Sequence, residues 1–152
     1  MKTVKFFIPI VILMILTLTC TRKDEPVYKP ISVKEIRIGA LLSLTGEGSP
    51  TGQSSQVSLE FALQDIREYL AAVGIQENVT LVTVDTKTDT TEALKQLRIL
   101  YEQGIRLVIG PYSSAELASV KNFTDAYGML IISPSSVAVS LAIPDDNIFR
   151  FV

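Results

Sequence analysis

The sequence predicts an α/β protein, an open parallel sheet with helices on both faces. Short apolar segments rich in β-branched residues alternate in strict order with longer segments of helical period. The first strand candidate, residues 35–42 (EIRIGALL), is a nearly continuous apolar run, as expected for a strand covered on both faces. The helical segments are long enough to cross over the sheet, so we expect parallel strands joined by right-handed crossovers.

The other elements follow in order along the chain. A helix is predicted at 52–73, ended by Gly74, with an apolar stripe formed by Leu59, Ala62, Leu63, Ile66, Leu70 and Val73. Asp89 and Glu92 have capping-box spacing, which indicates the start of a second helix that ends at Gly104. A third helix is predicted at 114–127, closed by Gly128, and the remaining strands at 79–85, 106–109, 129–132 and 147–152.

Residues 1–20 are predicted to be a secretory signal that lies outside the folded domain. Lys2 and Lys5 give a positive start, and the apolar run at 6–18 is shorter than the ~20 residues that a spanning helix needs. A retained membrane anchor is the alternative. Residues 21–34 are polar and contain two prolines, which indicates a tether between the signal and the domain.

Cys20 is the only cysteine and directly follows the apolar run. The segment resembles a lipoprotein signal, although Thr17 and Thr19 stand where Leu-like and small residues are usual. We therefore predict lipid attachment at Cys20; an unmodified thiol is the alternative. An acyl chain would anchor the exported protein to a membrane, in the periplasm or at the cell surface.

The composition argues against several classes of function. The 14 basic residues include Lys2 and Lys5, whereas none of the 16 acidic residues precedes Cys20, so the net charge beyond Cys20 is about −4. Without a basic cluster, nucleic acid is not an expected partner. The chain has no histidine, so we expect no metal site and no cofactor. A nucleophilic serine would also lack its usual base, and Lys121 is not placed near Ser114, so we expect no catalysis.

Ligands of open α/β sheets bind beyond the carboxyl ends of the strands, which here means the loops at 43–51, 86–88, 110–114 and 133–140. The first contains Gly-x-Gly but no phosphate-loop pattern, so a flexible turn and a ligand-approach loop both remain open. Ser113 or Ser114 could cap the next helix or bind an anion at its N-terminus. Ser135 and Ser136 supply hydroxyls in the adjacent loop. Together these two loops predict a carboxylate site without charged side chains.

Four segments have the character of family motifs: residues 38–46 (IGALLSLTG) followed by Gly52-Gln53, 109–114 (IGPYSS), 128–136 (GMLIISPSS) and 146–150 (DNIFR). They resemble the branched-chain amino acid-binding family, the type I periplasmic binding proteins that serve as receptors of ABC importers. The resemblance implies capture of a small amino-acid-like solute and its delivery to an ABC permease in the membrane. A ligand-sensing ectodomain of a signalling receptor with the same fold is the first alternative, and an α/β enzyme is the second.

By this resemblance the ligand-binding residues are Tyr112, Ser113, Ser114, Ser135, Ser136 and Val137. The Ser114 hydroxyl and the Val137 amide would bind the ligand's α-carboxylate, and the Ser135 carbonyl would accept from its α-ammonium group. The family commonly has Thr at the position of Val137 and uses its hydroxyl. The absence of this hydroxyl implies weaker carboxylate capture or a different small solute. The resemblance further implies that residues 35–152 are the N-terminal part of lobe 1, without the second lobe, and that this chain alone binds ligand weakly.

Overall fold

A computed structural model describes residues 35–151 as five parallel strands that alternate with three α-helices. The predicted signal, the tether and Cys20 lie outside the described residues. The elements are β1 (Glu35–Leu42), α1 (Ser49–Ala72), β2 (Asn78–Asp85), α2 (Thr90–Glu102), β3 (Leu107–Ile109), α3 (Ser114–Tyr127), β4 (Leu130–Ser133), a 3-10 turn (Val139–Leu141) and β5 (Ile148–Arg150). None of the helices in this part of the chain has the length and apolarity needed to span a bilayer.

The strands form one sheet in the order β2-β1-β3-β4-β5, and every neighbouring pair is parallel. β1 therefore lies between β2 on one side and β3 on the other. The direction of winding reverses between β1 and β3, which makes this gap the topological switch point of the sheet.

Helices cover both faces of the sheet, as predicted. Leu41 of β1 belongs to the main core, which α2 and α3 close from one face. Leu42, the next residue, points to the opposite face and lies beside Ser55 and Leu59 of α1. The residues of the main core with at most 1% exposure are Leu41, Ala93, Leu97, Leu100, Ile105, Val108, Leu117, Val120, Met129 and Ile131.

Helix α1 differs from its prediction in its start and in its burial. It begins at Ser49 instead of residue 52, because Pro50 has no amide hydrogen to lose and is favoured in a first helical turn. The predicted stripe is only partly covered. Three of its members are half-buried, whereas Ile66 and Val73 are 42% and 49% exposed. α1 packs mainly over β1 and β2, and much of its apolar side faces solvent.

The remaining boundaries agree with the predictions to within two residues. The helix predicted at 114–127 is found there, and Gly128 closes it in the left-handed conformation. β4 runs from Leu130 to Ser133 instead of 129–132, because the amide of Met129 still bonds to the carbonyl of Thr124 in the turn that ends α3. β5 is shorter than predicted, Ile148–Arg150, and β2 and β3 differ by one residue at their starts.

Candidate functional site at the carboxyl edge of the sheet

The loops after β3 and β4 meet at the Ser114 hydroxyl. Its oxygen accepts a hydrogen bond from Ser136 Oγ at 2.9 Å and one from the amide of Ala138 at 3.3 Å. A hydroxyl has two lone pairs and one hydrogen, so both acceptor positions are occupied and the hydrogen is left to donate elsewhere. The structure thus brings the two serine-bearing loops together, as the sequence predicted.

Helix α3 adds main-chain donors at the same place. Ser114 and Ala115 are its first two residues, and amides in the first turn of a helix have no acceptor within that helix. The N-terminus also carries the positive end of the helix dipole. A hydroxyl and two amides at this point favour a small anionic group.

The other predicted site residues occupy supporting positions. Ser113 is the N-cap of α3: its hydroxyl accepts from the Glu116 amide at 3.2 Å and donates to Glu116 Oε2 at 2.6 Å. Ser135 Oγ donates to the carbonyl of Tyr112 at 2.9 Å, and Ser136 is 1% exposed beneath Ser114. These hydroxyls hold the loops in shape.

Val137 and Tyr112 are the most exposed of the predicted site residues. Val137 is 70% exposed and presents no hydroxyl. Tyr112 is 41% exposed and lines a mainly apolar cavity of about 330 Å³ on the α1 face, together with Leu42, Ile109 and Pro134. The Tyr112 ring therefore borders the α1 side of this sheet edge.

Arg150 supports the loop after β4, a role that the sequence did not reveal. Its guanidinium Nη1 donates to the carbonyls of Ser136 at 3.1 Å and Ala138 at 2.8 Å. The residue lies at the end of β5, next to β4 in the sheet, so the sheet itself places the side chain under the loop. The sequence predicts a strand in this segment and shows a resemblance to a family motif, and neither indicates the contacts of Arg150 with the loop after β4.

Lys121 is engaged away from the serines. Its ammonium group lies 2.7 Å from Asp125 Oδ2 and 2.8 Å from Asp146 Oδ2, and this pair of contacts ties α3 to the segment before β5. Hydrogen bonds to Asp125 and then to Asp146 raise the pKa of Lys121 above its usual value, against the opposing effect of burial. A proton on this lysine is therefore held more tightly than usual, which is the reverse of what a general base requires.

Asp85, at the end of β2, fixes the loop between β1 and α1. Its Oδ1 accepts from the amides of Leu44, Thr45 and Lys87 at 2.9–3.1 Å, and Oδ2 accepts from Thr45 Oγ1 at 2.6 Å. Burial raises the pKa of this carboxyl, but the hydrogen bonds from the Thr45 hydroxyl and the three amides outweigh it and lower the pKa overall.

Asp85→Asn should destabilise the fold, and the loss of stability should be larger at neutral pH than at acid pH. A carboxyl whose pKa is lowered by folding contributes stability above its unfolded pKa and loses it as the pH falls through the lowered folded value. Removing the charge from these bonds should reduce the free energy of unfolding by about 1–2 kcal/mol at pH 7, and the difference from the unmodified chain should shrink near pH 3. Urea unfolding at both pH values measures this, with Asp65→Asn on the exposed side of α1 as control. A pH-independent difference would contradict the assignment.

The 2-1-3-4-5 parallel sheet defines this chain as an α/β protein with the architecture of a type I periplasmic-binding-protein lobe. The chain belongs to the periplasmic binding protein family, whose sequence pattern matches residues 35–152. The predicted family and the predicted fold class are both confirmed.

Two curated relatives and one solved structure define the similarity further. An uncharacterized protein of Methanocaldococcus jannaschii is 31% identical over 141 residues, which cover 88% of this chain and 34% of that protein. The Leu/Ile/Val-binding protein BraC3 of Rhizobium johnstonii is 26% identical over 125 residues, 82% of this chain and 34% of the relative. The chain thus spans about a third of the length of both relatives.

Among solved structures, this chain is similar in fold to the branched-chain amino acid transporter substrate-binding protein LivJ from Streptococcus pneumoniae, solved in complex with isoleucine. The TM-score is 0.68 at 24% identity, and the alignment covers 77% of this chain and 33% of LivJ. The family is therefore one with branched-chain amino acid-binding members.

Proposed function

We propose that this protein is an extracytoplasmic solute-binding receptor of an ABC importer and that it captures a small amino-acid-like solute at the carboxyl edge of its sheet. The observation that supports this most directly is the Ser114 hydroxyl. Its two acceptor positions are taken by Ser136 and Ala138, which leaves its hydrogen to donate to a ligand.

The donors at this edge suit a carboxylate. The Ser114 hydroxyl and the first amides of α3 would donate to the two carboxylate oxygens, and the Val137 amide would add a donor from the neighbouring loop. The Ser135 carbonyl would accept from an α-ammonium group. Ser113, Ser136 and Arg150 hold these groups in place through the contacts described above. Val137 offers only its main chain, which suits either a weakly held amino acid or a related small solute.

The proposed partners and location follow from the family. The relative BraC3 is named for binding Leu, Ile and Val, and LivJ is described as the substrate-binding protein of a transporter. We accordingly propose an ABC permease as partner and a position outside the cytoplasm. The proposed lipid anchor is Cys20, at the end of the predicted signal.

Titration of the chain with L-leucine, followed by amide chemical shifts in NMR, tests the proposal. The 152-residue chain is kept in a mild detergent because of the apolar run at 6–18. We expect saturable shifts at the amides of Ser114, Ala115 and Val137, with a dissociation constant in the millimolar range, since residues 35–151 leave this edge of the sheet open to water and Val137 is 70% exposed. Ser114→Ala should weaken binding about tenfold, the equivalent of one hydrogen bond to a charged group.

Thr80→Val is the control for Ser114→Ala. The Thr80 hydroxyl donates to Glu35 Oε1 where β1 and β2 begin, at the opposite end of the sheet from the proposed site, so its loss should leave the dissociation constant unchanged. Shifts centred away from the carboxyl edge, or equal affinity of Ser114→Ala and the unmodified chain, would contradict the proposed site.

A further inference from the structure

Glu116 is a buried carboxyl that connects three loops at the carboxyl edge. It lies in the first turn of α3 and is 1% exposed. Oε2 accepts from the Ser113 hydroxyl at 2.6 Å, and Oε1 accepts from Ser43 Oγ at 3.4 Å. Ser43 Oγ lies in turn 3.0 Å from Thr86 Oγ1. Ser43 follows β1, Thr86 follows β2 and Ser113 follows β3, so one side chain joins the ends of three adjacent strands.

We propose that Glu116 is a positioning residue for ligand capture: through its hydrogen bonds, and not through its charge, it ties the loop after β3 to the loops after β1 and β2 and thereby sets the Ser114 hydroxyl and the first amides of α3. The proposal rests on the function proposed above and adds a residue that does not itself touch the solute. Ser114 stands between the two residues that bond to each other, Ser113 and Glu116, so this contact determines the shape of the turn that presents it.

The directions of these hydrogen bonds are fixed by a single constraint. A carboxylate only accepts, so the hydroxyl hydrogens of both Ser43 and Ser113 must point at Glu116. Ser43 has then used its only hydrogen, and Thr86 must donate to Ser43. Every hydroxyl of the cluster therefore has one orientation, and buried side-chain nitrogen and oxygen atoms without a partner are absent from residues 35–151.

Attachment of α3 to the sheet does not require this carboxyl. Leu117 and Val120, on the same helix, are fully buried in the main core and supply apolar contact. Burying a carboxyl is costly unless it is fully hydrogen-bonded. We therefore infer that this glutamate serves to arrange the loops more than to attach the helix to the sheet. Ligand sites tolerate displacements of only about 0.5 Å before affinity falls.

Three variants of the full chain separate positioning from stability. Glu116→Ala removes both acceptors. Glu116→Gln can keep every bond, because its amide oxygen accepts from Ser113 while its amide nitrogen donates to Ser43, which then donates to Thr86. Val120→Ala lowers stability from the core of the same helix and removes no side-chain hydrogen bond of Glu116, Ser113 or Ser43. Each is titrated with L-leucine as above, and amide hydrogen exchange is measured without ligand.

We expect Glu116→Ala to weaken binding about tenfold and to speed exchange at the amide of Thr86, which bonds to the carbonyl of Leu42 next to Ser43. Glu116→Gln should stay within about twofold of the unmodified chain in both readouts. Val120→Ala should lower the melting temperature and leave the dissociation constant of the folded chain unchanged.

Two results would overturn the proposal. Equal loss in Glu116→Gln and Glu116→Ala would mean that charge, and not hydrogen bonding, is what matters. Unchanged exchange at Thr86 in Glu116→Ala would mean that the loops do not depend on this side chain, whether or not ligand binds. If the unmodified chain showed no saturable binding, the proposed function would fail, while the exchange experiment would still decide whether Glu116 fixes the loops.

Discussion

Gly110→Ala should reduce the free energy of unfolding by about 4 kcal/mol, among the largest effects of any single substitution in this chain. Gly110 has φ +91°, a conformation that residues with a side chain rarely adopt, and an added Cβ would lie 2.1 Å from the carbonyl oxygen of Leu41. The clash is with the backbone of β1, so no side chain can move aside. Relief would require β3 to separate from β1 at the switch point, beside the proposed site.

Gly104→Ala is the matched control. Gly104 has a similar φ of +83°, but an added Cβ there would meet nothing within 4 Å. Its substitution should cost only the conformational penalty of about 1–2 kcal/mol. Urea unfolding of both variants at pH 7 gives the difference. Equal losses of unfolding free energy in the two variants would show that the close approach of Gly110 to Leu41 does not affect stability.

Leu97→Ala should cost about 2–5 kcal/mol. Leu97 lies on α2, is fully buried, and belongs to the main core between the sheet and the pair α2 and α3. Truncation removes apolar contact and leaves a cavity that the central strands β1 and β3 cannot fill by moving, since each is hydrogen-bonded on both sides. The melting temperature should fall by roughly 10 °C or more.

The companion substitution is Ile66→Ala on α1. Ile66 is 42% exposed although the sequence places it in the same kind of apolar stripe. Its truncation should cost only about 1 kcal/mol, because 42% of the residue stays exposed to water on folding and no enclosed cavity is left behind. A loss as large as that of Leu97→Ala in thermal or urea unfolding would mean that the outer side of α1 is covered in solution.

The order of strands and helices could be predicted from the sequence because local patterns determine it. The start of α2 is an example. The spacing of Asp89 and Glu92 predicts an N-cap, and the Asp89 side chain accepts from the Glu92 amide at 2.7 Å. The degree of burial along α1 could not be predicted, because a periodic stripe shows which side of a helix is apolar and does not show whether another element covers it. Ile66 and Leu97 have the same local signal and different surroundings.

The candidate site was predicted in part. The meeting of the Ser114 loop with the Ser136 loop followed from the rule that ligands bind at the carboxyl ends of parallel strands. The sequence left open whether the serines of the loop at 110–114 cap the next helix or bind an anion. Ser113 is the one that caps the helix, since its hydroxyl accepts from the Glu116 amide. Its partner Glu116 stands three residues later, a capping-box spacing that could have revealed it. The contacts of Glu116 with Ser43 and of Asp85 with Leu44 cross 73 and 41 positions of sequence, so no local pattern encodes them.

The central place of β1 in the sheet has a consequence for synthesis of the protein. Of the strands in residues 35–151, β1 leaves the ribosome first, yet β3, one of its two neighbours, begins about 65 residues after β1 ends. At translation rates of about 5–20 residues per second, one edge of β1 stays unpaired for several seconds or longer. Nascent chains should accordingly need protection from misassociation until Ile109 has emerged.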